Sequence, residues 1–437
     1  SGNGETCIWE QWRQDLEEHG ARARDGLREG VENAICQLGT GFLQGRGPGN
    51  DSLRAALQDG SVTTQAFYQE LMRTVYRLIF LTVLEGRNIL HEHDKTLKEQ
   101  AQLYRRGYSI SRLIKRALRE DADSRHDDLW QAQLIVFLAL GKDGGESALA
   151  LPALGGLYDA HQCPMLDACR LPNSAFLAAL RSLCWTNTEG KRTQVDYAHI
   201  GAEELGSVYE SLLELTPRIS TEQRIFYFMG GISDPEQADK KQKGNARKLT
   251  GSYYTPTCLV EQVLKTALDP LLDECCKNPV YAQQKLLALR VIDPACGSAH
   301  FLLGAARRIA ERLADARTPG QMGGATPDVF QRAMHDVIRN CIYGVDINPM
   351  AIELVRMNLW LEGYQPGKAL SFLDDHLRCG NSLLGIFSKE DVKLPIPDDA
   401  FKCWNGDDAK VCKSAKSANL QYAKKRDSLP YYLNLQA

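Results

Sequence analysis

Asp293, Asp346 and Asn381 each stand where an apolar run gives way to a turn, in VIDPACGSAHFLL, IYGVDINPMAIELV and HLRCGNSLLG. Polar groups at such junctions can hold a ligand lying across the ends of neighbouring strands. A carboxylate at Asp346 can accept hydrogen bonds from both hydroxyls of a ribose, and Ile347 beside it can lie against one face of an adenine ring. The competing role for Asp346 is to cap the helix that starts at Pro349, although Asn348 is better placed for that. Asn381 offers a donor and an acceptor to a base edge and Leu383 an apolar surface, while Gly-Asn-Ser is equally an ordinary turn. Gly297 admits a ligand close to the backbone, and the helix beginning near His300 aims free N–H groups at the same space. Upstream, in GSYYTP, Thr255 is a natural N-cap and Pro256 a natural first helical residue. Such a helix start suits a carboxylate or is a plain helix beginning.

The elements around these residues alternate. LALRVID reads as a buried strand, HFLLGAARRIAERLADA and VFQRAMHDVIRN as helices, CIYGVD as a second buried strand and NPMAIELVRMNLWLEG as a helix. ALSFLDDHLRCGNSLLG reads as a third strand and turn. Alternation of this kind predicts a parallel sheet covered on both faces. TPTCLVEQVLKTAL is a helix whose apolar Leu259, Val260, Val263, Leu264 and Ala267 share a side. A dinucleotide fingerprint fits badly. It wants Gly-x-Gly-x-x-Gly and an acid about 20 residues later, whereas only Gly297 stands in the loop core and an extra helix precedes Asp346.

Residues 1 to about 190 are mainly helical, with Phe67, Leu71, Val75, Leu78 and Ile79 at helical spacing and glycine-rich loops at GTGFLQGRGPGN and GKDGGES. RIFYFM suggests a strand. The stretch DKKQKGNARK carries Lys240, Lys241, Lys243, Arg247 and Lys248, and is either a solvated loop or one that touches phosphates. The organisation expected is a helical region over 1–195, a connector with the basic loop over 196–250, an α/β core over 251–387 and a lysine-rich insertion or linker over 388–437.

A length of 437 residues allows two or three domains, and 43% hydrophobic with 24% charged residues is an ordinary globular balance. The net charge of −3 gives no global basic field, which leaves room for a local basic groove. Thirteen cysteines without a Cys-x-x-Cys pair point to reduced, buried thiols and a cytoplasmic protein rather than to zinc. The greasiest segment, VYRLIFLTVLEG, carries Arg77 and Glu85 and falls far short of the ~20 apolar residues of a membrane span.

Taken together and in this order, LTGSYYTPTCLVEQVL, VIDPACGSAHFLL, IYGVDINPMAIELVRMNL and CGNSLLG resemble the adenine-specific amino-methyltransferases of restriction–modification and phage-defence systems. The likeness is greatest to the large type IIG-like methylases in the γ arrangement, and LGSVYESLLEL upstream is similar as well. The resemblance, specific over roughly 205–386, implies a Rossmann-like methyltransferase sheet behind a helical domain, with S-adenosyl-L-methionine as cofactor. It implies double-stranded DNA as the partner of the full-length protein, with defence-system subunits as further candidates and no membrane. By it, Tyr254, Thr255 and Pro256 border the methionine end, and Asp293, Ala295, Cys296, Gly297 and Phe301 shape the loop beneath the cofactor. Asp346 holds the ribose, Ile347 packs on the adenine, and Asn381, with Ser382 and Leu383, meets the adenine edge.

Two departures from the family stand out. Its loop often reads Gly-Ser-Gly where this chain has Gly297, Ser298 and Ala299, and alanine is expected to be tolerated there if its φ is negative. The catalytic Asn/Asp-Pro-Pro-aromatic tetrapeptide does not occur. In the family it accepts the adenine amino hydrogens and stacks on a flipped base. The expectation is a piece of a longer enzyme, with PDDAFKCWNGDD through KKRDSL as an insertion, that binds cofactor without transferring methyl. A methyltransferase for RNA or protein, or a non-catalytic scaffold of a defence complex, are the alternatives. No nuclease signature is convincing: Glu189 and Lys191 have the spacing, but TNTEGKR reads as a turn.

Overall fold

Apolar residues at helical spacing make the first part of the chain helical. The computed structural model describes residues 8–91, 97–119, 124–188, 191–200, 202–213, 215–229, 255, 257–319, 325–365, 373–384, 398–403 and 408–426. Its first eight helices are α1 (Ile8–Gln44), α2 (Pro48–Gln58), α3 (Thr64–Gly86), α4 (Lys98–Gly107), α5 (Ile110–Arg116), α6 (Asp128–Gly141), α7 (Pro164–Asp167) and α8 (Asn173–Cys184). Thr63 caps α3 by accepting from the Ala66 N–H at 3.1 Å. This helix is buried on nearly every side, including Phe67, Leu71, Val75, Leu78 and Ile79. Its two buried charges, Glu70 and Arg77, therefore need partners. Arg77, fully buried, donates to both oxygens of Asp167 at 2.9 and 3.1 Å and to the carbonyls of Leu157 and Asp159.

Part of GTGFLQGRGPGN, expected to be a loop, is helix. Gly39 and Gly41 lie within α1, where a Cβ would stand 2.7 Å from Phe226 and 2.5 Å from Ala175. These glycines serve close packing rather than a turn. GKDGGES is the expected loop, with Gly144 and Gly145 at positive φ.

Two antiparallel hairpins follow, β1 (Trp185–Thr188) with β2 (Lys191–Gln194) and β3 (Pro217–Ser220) with β4 (Ile225–Phe228). The first places strands in the flanks of TNTEGKR, which the sequence suggested was turn alone; the second contains the strand expected in RIFYFM. Between the hairpins runs α9 (Ala202–Leu212).

The α/β part comprises α10 (Thr257–Ala267), α11 (Asp269–Cys276), α12 (Ala282–Leu287), β5 (Val291–Asp293), α13 (His300–Arg317), α14 (Pro327–Cys341), β6 (Ile342–Asp346), α15 (Pro349–Glu362) and β7 (Leu377–Cys379). The strands form one parallel sheet in the order β5-β6-β7, with Asp293 opposite Gly344 and Asp346 opposite Cys379. Helical crossovers join them, as parallel neighbours require.

The sheet departs from expectation at LALRVID, of which only Val291–Asp293 is extended. Ile292 is 64% exposed, because among the described residues β5 has a strand on one side alone. In α10 the buried stripe is Val260 and Leu264, while Leu259 and Val263 face outward.

The helical and α/β parts share one hydrophobic core running from Leu27 to Leu377. The chain divides into two compact units, Ser1–Gly380 and Asn381–Ala437. The second contains a turn at Asn381, a short 3-10 helix (Asp398–Phe401) and α16 (Ala409–Arg426), which lies in the stretch expected to be a lysine-rich insertion or linker. Lys416 pairs with Asp398 at 2.8 Å there. The described cysteines are free thiols. No helix among the described residues is long and apolar enough to cross a membrane.

Candidate functional site

Parallel pairing brings Asp293 and Asp346 to the same rim of the sheet. The turn after β5 is then fixed to the end of β6. Asp293 begins it by accepting the Ala295 N–H at 3.0 Å. The Cys296 N–H donates to the Val345 carbonyl at 3.0 Å, and the Gly297 N–H donates to Asp346 Oδ2 at 2.9 Å. The amide of Asn358 on α15 holds the Ser298 carbonyl at 3.0 Å. Space beneath the turn is scarce: a Cβ on Gly344 would meet Cys296 Sγ at 3.0 Å and Leu302 and Leu377 at 3.1 Å. Cys296 is accordingly buried under the turn, and burial first, then Asp346 and Asp293, push its thiol up to about 12.

Above the turn the situation reverses. Gly297 has φ +51°, and among the described residues a Cβ there would meet nothing nearer than Glu210 Oε1, at 3.9 Å. Ala299 also sits in the left-handed region, at φ +79°, and is fully buried. The condition of negative φ on which alanine was expected to be tolerated is not met; the chain accepts a strained alanine as the residue before α13.

Asp346 uses both oxygens on backbone. Oδ1 accepts the Asn348 N–H at 2.8 Å while Oδ2 takes Gly297. Asn348 performs the helix cap, accepting the Met350 N–H at 3.0 Å. A carboxylate can accept about four hydrogen bonds, so lone pairs remain on Asp346. Ile347 next to it is 66% exposed, an apolar side chain left at the surface of the rim. Burial raises the Asp293 carboxyl above its ordinary range, with Asp346 adding to the effect and the Ala295 N–H opposing it. Phe301 is half-buried against the core and Ala295 is exposed.

Of the remaining expected residues, Thr255 is half-buried and stands two positions before α10. Asn381, Ser382 and Leu383 open the second unit. Asn381 Oδ1 accepts the Leu383 N–H at 2.9 Å, which leaves the amide hydrogens to donate, and Leu383 is exposed. Tyr254, Pro256, Lys240, Lys241, Lys243, Arg247 and Lys248 lie outside the described residues.

Helix α9 supplies neighbours that the spacing of acids did not single out. A Cβ on Gly206 would stand 2.4 Å from Ser298 Oγ, so the helix rests directly on the turn. One turn of helix later, Glu210 Oε1 receives the Ser298 hydroxyl at 3.4 Å. Tyr209 is buried, and burial first, then Asp346 and Glu210, raise its phenol well above the ordinary range. The available signal was the four-residue interval between Gly206 and Glu210 in LGSVYESLLEL, which puts both on one helix face.

These loops fall in a segment that is similar to known proteins. Residues 240–384 match the model of the N-6 DNA Methylase family. The chain is 28% identical over 199 residues to a putative type II restriction enzyme and methyltransferase of Methanocaldococcus jannaschii, covering 36% of this chain and 16% of that protein. It is 32% identical over 162 residues to the adenine-specific methyltransferase PglX of Streptomyces coelicolor, covering 35% of this chain and 12% of that one. The aligned segments thus span a small fraction of either relative. A solved structure of the type IIL restriction–modification enzyme MmeI in complex with DNA aligns at a TM-score of 0.42 and 18% identity, over 80% of this chain and 40% of that one. A TM-score of that size does not establish a shared fold.

Proposed function

We propose that this chain is the cofactor-binding part of a site-specific DNA adenine-N6 methyltransferase of a restriction–modification or phage-defence system, built on a Rossmann-like sheet. The observation that carries the reading is the bond from the Gly297 N–H to Asp346. It ties the first strand-end loop to the second strand-end acid within the segment matched to the N-6 methylases. The residues fit S-adenosyl-L-methionine. Among the described residues space stands open over Gly297, Asp346 has acceptor capacity for ribose hydroxyls, and Ile347 offers an exposed apolar face for adenine. The acids at the rim also suit a ligand bearing positive charge.

When bound, the cofactor supplies an electrophilic methyl on a positively charged sulfur. The chain's own residues orient it. Asp346 accepts from the ribose while its backbone bonds keep the carboxylate from turning, and Ile347 shields one face of the base. Adenine N6 is a poor nucleophile because its lone pair is delocalised, so transfer needs acceptors for its amino hydrogens and a pocket for the flipped base. The tetrapeptide that supplies them is absent from the 437 residues. This chain alone should therefore bind cofactor and leave DNA unmethylated.

Isothermal titration with S-adenosylhomocysteine and with NAD tests the binding. Uptake of the first and not the second is expected, and the opposite preference would overturn the reading. DNA treated with the full-length protein should contain N6-methyladenine by mass spectrometry; methylated RNA or protein with unmodified DNA would redirect the substrate.

A further inference from the structure

We propose that Glu210 on α9 is a further cofactor-binding residue, whose carboxylate takes the cationic amino group at the amino-acid end of S-adenosylmethionine. The inference rests on the cofactor reading above. It names a contact that comes from outside the three strand-end loops, and from outside the matched segment, which begins at residue 240.

Geometry carries it in three steps. First, Gly206 brings α9 against the turn so closely that any side chain there would collide with Ser298. The helix is thereby held where its next turn, at Glu210, stands over Gly297 and Ser298. Second, among the described residues the carboxylate of Glu210 is the group nearest the space above Gly297, 3.9 Å from where a Cβ on Gly297 would stand, and it also receives the Ser298 hydroxyl at 3.4 Å. Third, the other two rim acids are held at the strand ends by backbone N–H groups. Asp346 spends an oxygen on each of two backbone N–H groups, and Asp293 spends one on its own turn. The buried hydroxyl of Tyr209, beside Glu210 in sequence, has no hydrogen-bond partner among the described residues, which adds a polar group on the same helix near Asp346.

The ligand chemistry follows from this. Asp346 suits the neutral ribose, at the end of β6. A half-buried carboxylate reaching over the turn from a separate helix suits a cation, because charge-assisted bonds are short and about twice as strong as neutral ones. S-adenosylmethionine and S-adenosylhomocysteine both carry an α-ammonium group; 5′-methylthioadenosine has the same nucleoside and thioether with no amino acid. That difference gives the test.

Binding of S-adenosylhomocysteine and of 5′-methylthioadenosine is measured by titration calorimetry on the whole chain, wild type and Glu210→Gln. Glutamine can still accept from Ser298, so the turn keeps its support while the charge is lost. The expected result is a loss of about tenfold or more for S-adenosylhomocysteine with 5′-methylthioadenosine changed less than about twofold. Glu210→Asp, which keeps the charge on a shorter arm, should recover part of the loss. Equal affinity of wild type and Glu210→Gln for S-adenosylhomocysteine overturns the assignment while leaving the cofactor reading intact. So does an equal fall for both ligands, which would make Glu210 a support for the turn. A wild-type chain that binds neither ligand defeats the cofactor reading itself, and this contact with it.

Discussion

Ala299 shows what one β-carbon costs in the loop. A left-handed alanine is unfavourable by about 1–2 kcal/mol, while glycine gives back about 0.4–1 kcal/mol through its freer unfolded chain. Ala299→Gly should therefore stabilise the fold by up to about 1 kcal/mol, less whatever packing the buried methyl provides. Thermal unfolding checks this, and a lowered Tm would show that the methyl's contacts outweigh the strain. Asp293 makes a second, pH-dependent case. Its carboxyl is raised above the ordinary range, chiefly by burial. The folded state thus holds this proton more tightly than the unfolded chain does. The associated stability is fully present below the unfolded value and is lost as pH rises through the raised folded value. Asn can replace the acid as acceptor for the Ala295 N–H but does not titrate. The Tm of Asp293→Asn relative to wild type should rise from pH 4 to pH 7, and a flat difference would count against the shift. The sequence exposed both acids and the Asn348 cap, because strand ends and caps are written locally. It could not expose the φ of Ala299, which is set by the turn's bonds to Val345 and Asp346 on another strand.

Elements were legible where one periodicity ran undisturbed, as in α3, α13, α14 and α15. They were not where the partner lies far along the chain. Gly39 and Gly41 read as loop because their reason, Phe226 and Ala175, is remote in sequence. Ile292 read as buried because strand burial depends on neighbours that a strand's own residues do not name. Glu85 read only as a charge that argued against a membrane span. In the fold it is the cap of α5: its carboxylate accepts from the Ile110 and Ser111 N–H groups at 2.9 and 3.0 Å, and from the hydroxyls of Tyr104, Ser109 and Ser111. A carboxylate at a helix start neutralises orphan N–H groups and the positive end of the dipole. Glu85→Ala strands several donors at once, so it should cost about 2–4 kcal/mol in urea unfolding. The Ile110 and Ser111 amides should lose hydrogen-exchange protection first. Full protection in the variant would mean that α5 is held by its apolar face alone.

The helical and α/β parts of the molecule are packed together through side chains. Phe80 on α3 meets Trp360 on α15 edge-on, with ring centroids 5.7 Å apart, and Trp360 meets Tyr364 at 5.1 Å. The Tyr364 hydroxyl donates to the Ile89 carbonyl at 3.0 Å. Gly156, in the short 3-10 helix Gly156–Tyr158, packs so tightly that a Cβ would lie 3.2 Å from Glu353 on α15. Asn358 on that same helix holds the Ser298 carbonyl in the turn after β5. Helix α15 therefore links the packed helices to the site. Trp360→Ala would remove a 3%-exposed indole from this junction and should cost about 3–5 kcal/mol. If the two parts are one cooperative body, hydrogen exchange will show protection falling together in α3, α15 and the Gly297 turn. Cofactor affinity should weaken although the substituted residue touches no ligand. Loss confined to α15, with α3 fully protected, would instead mean that the helices fold on their own and that the site does not depend on them.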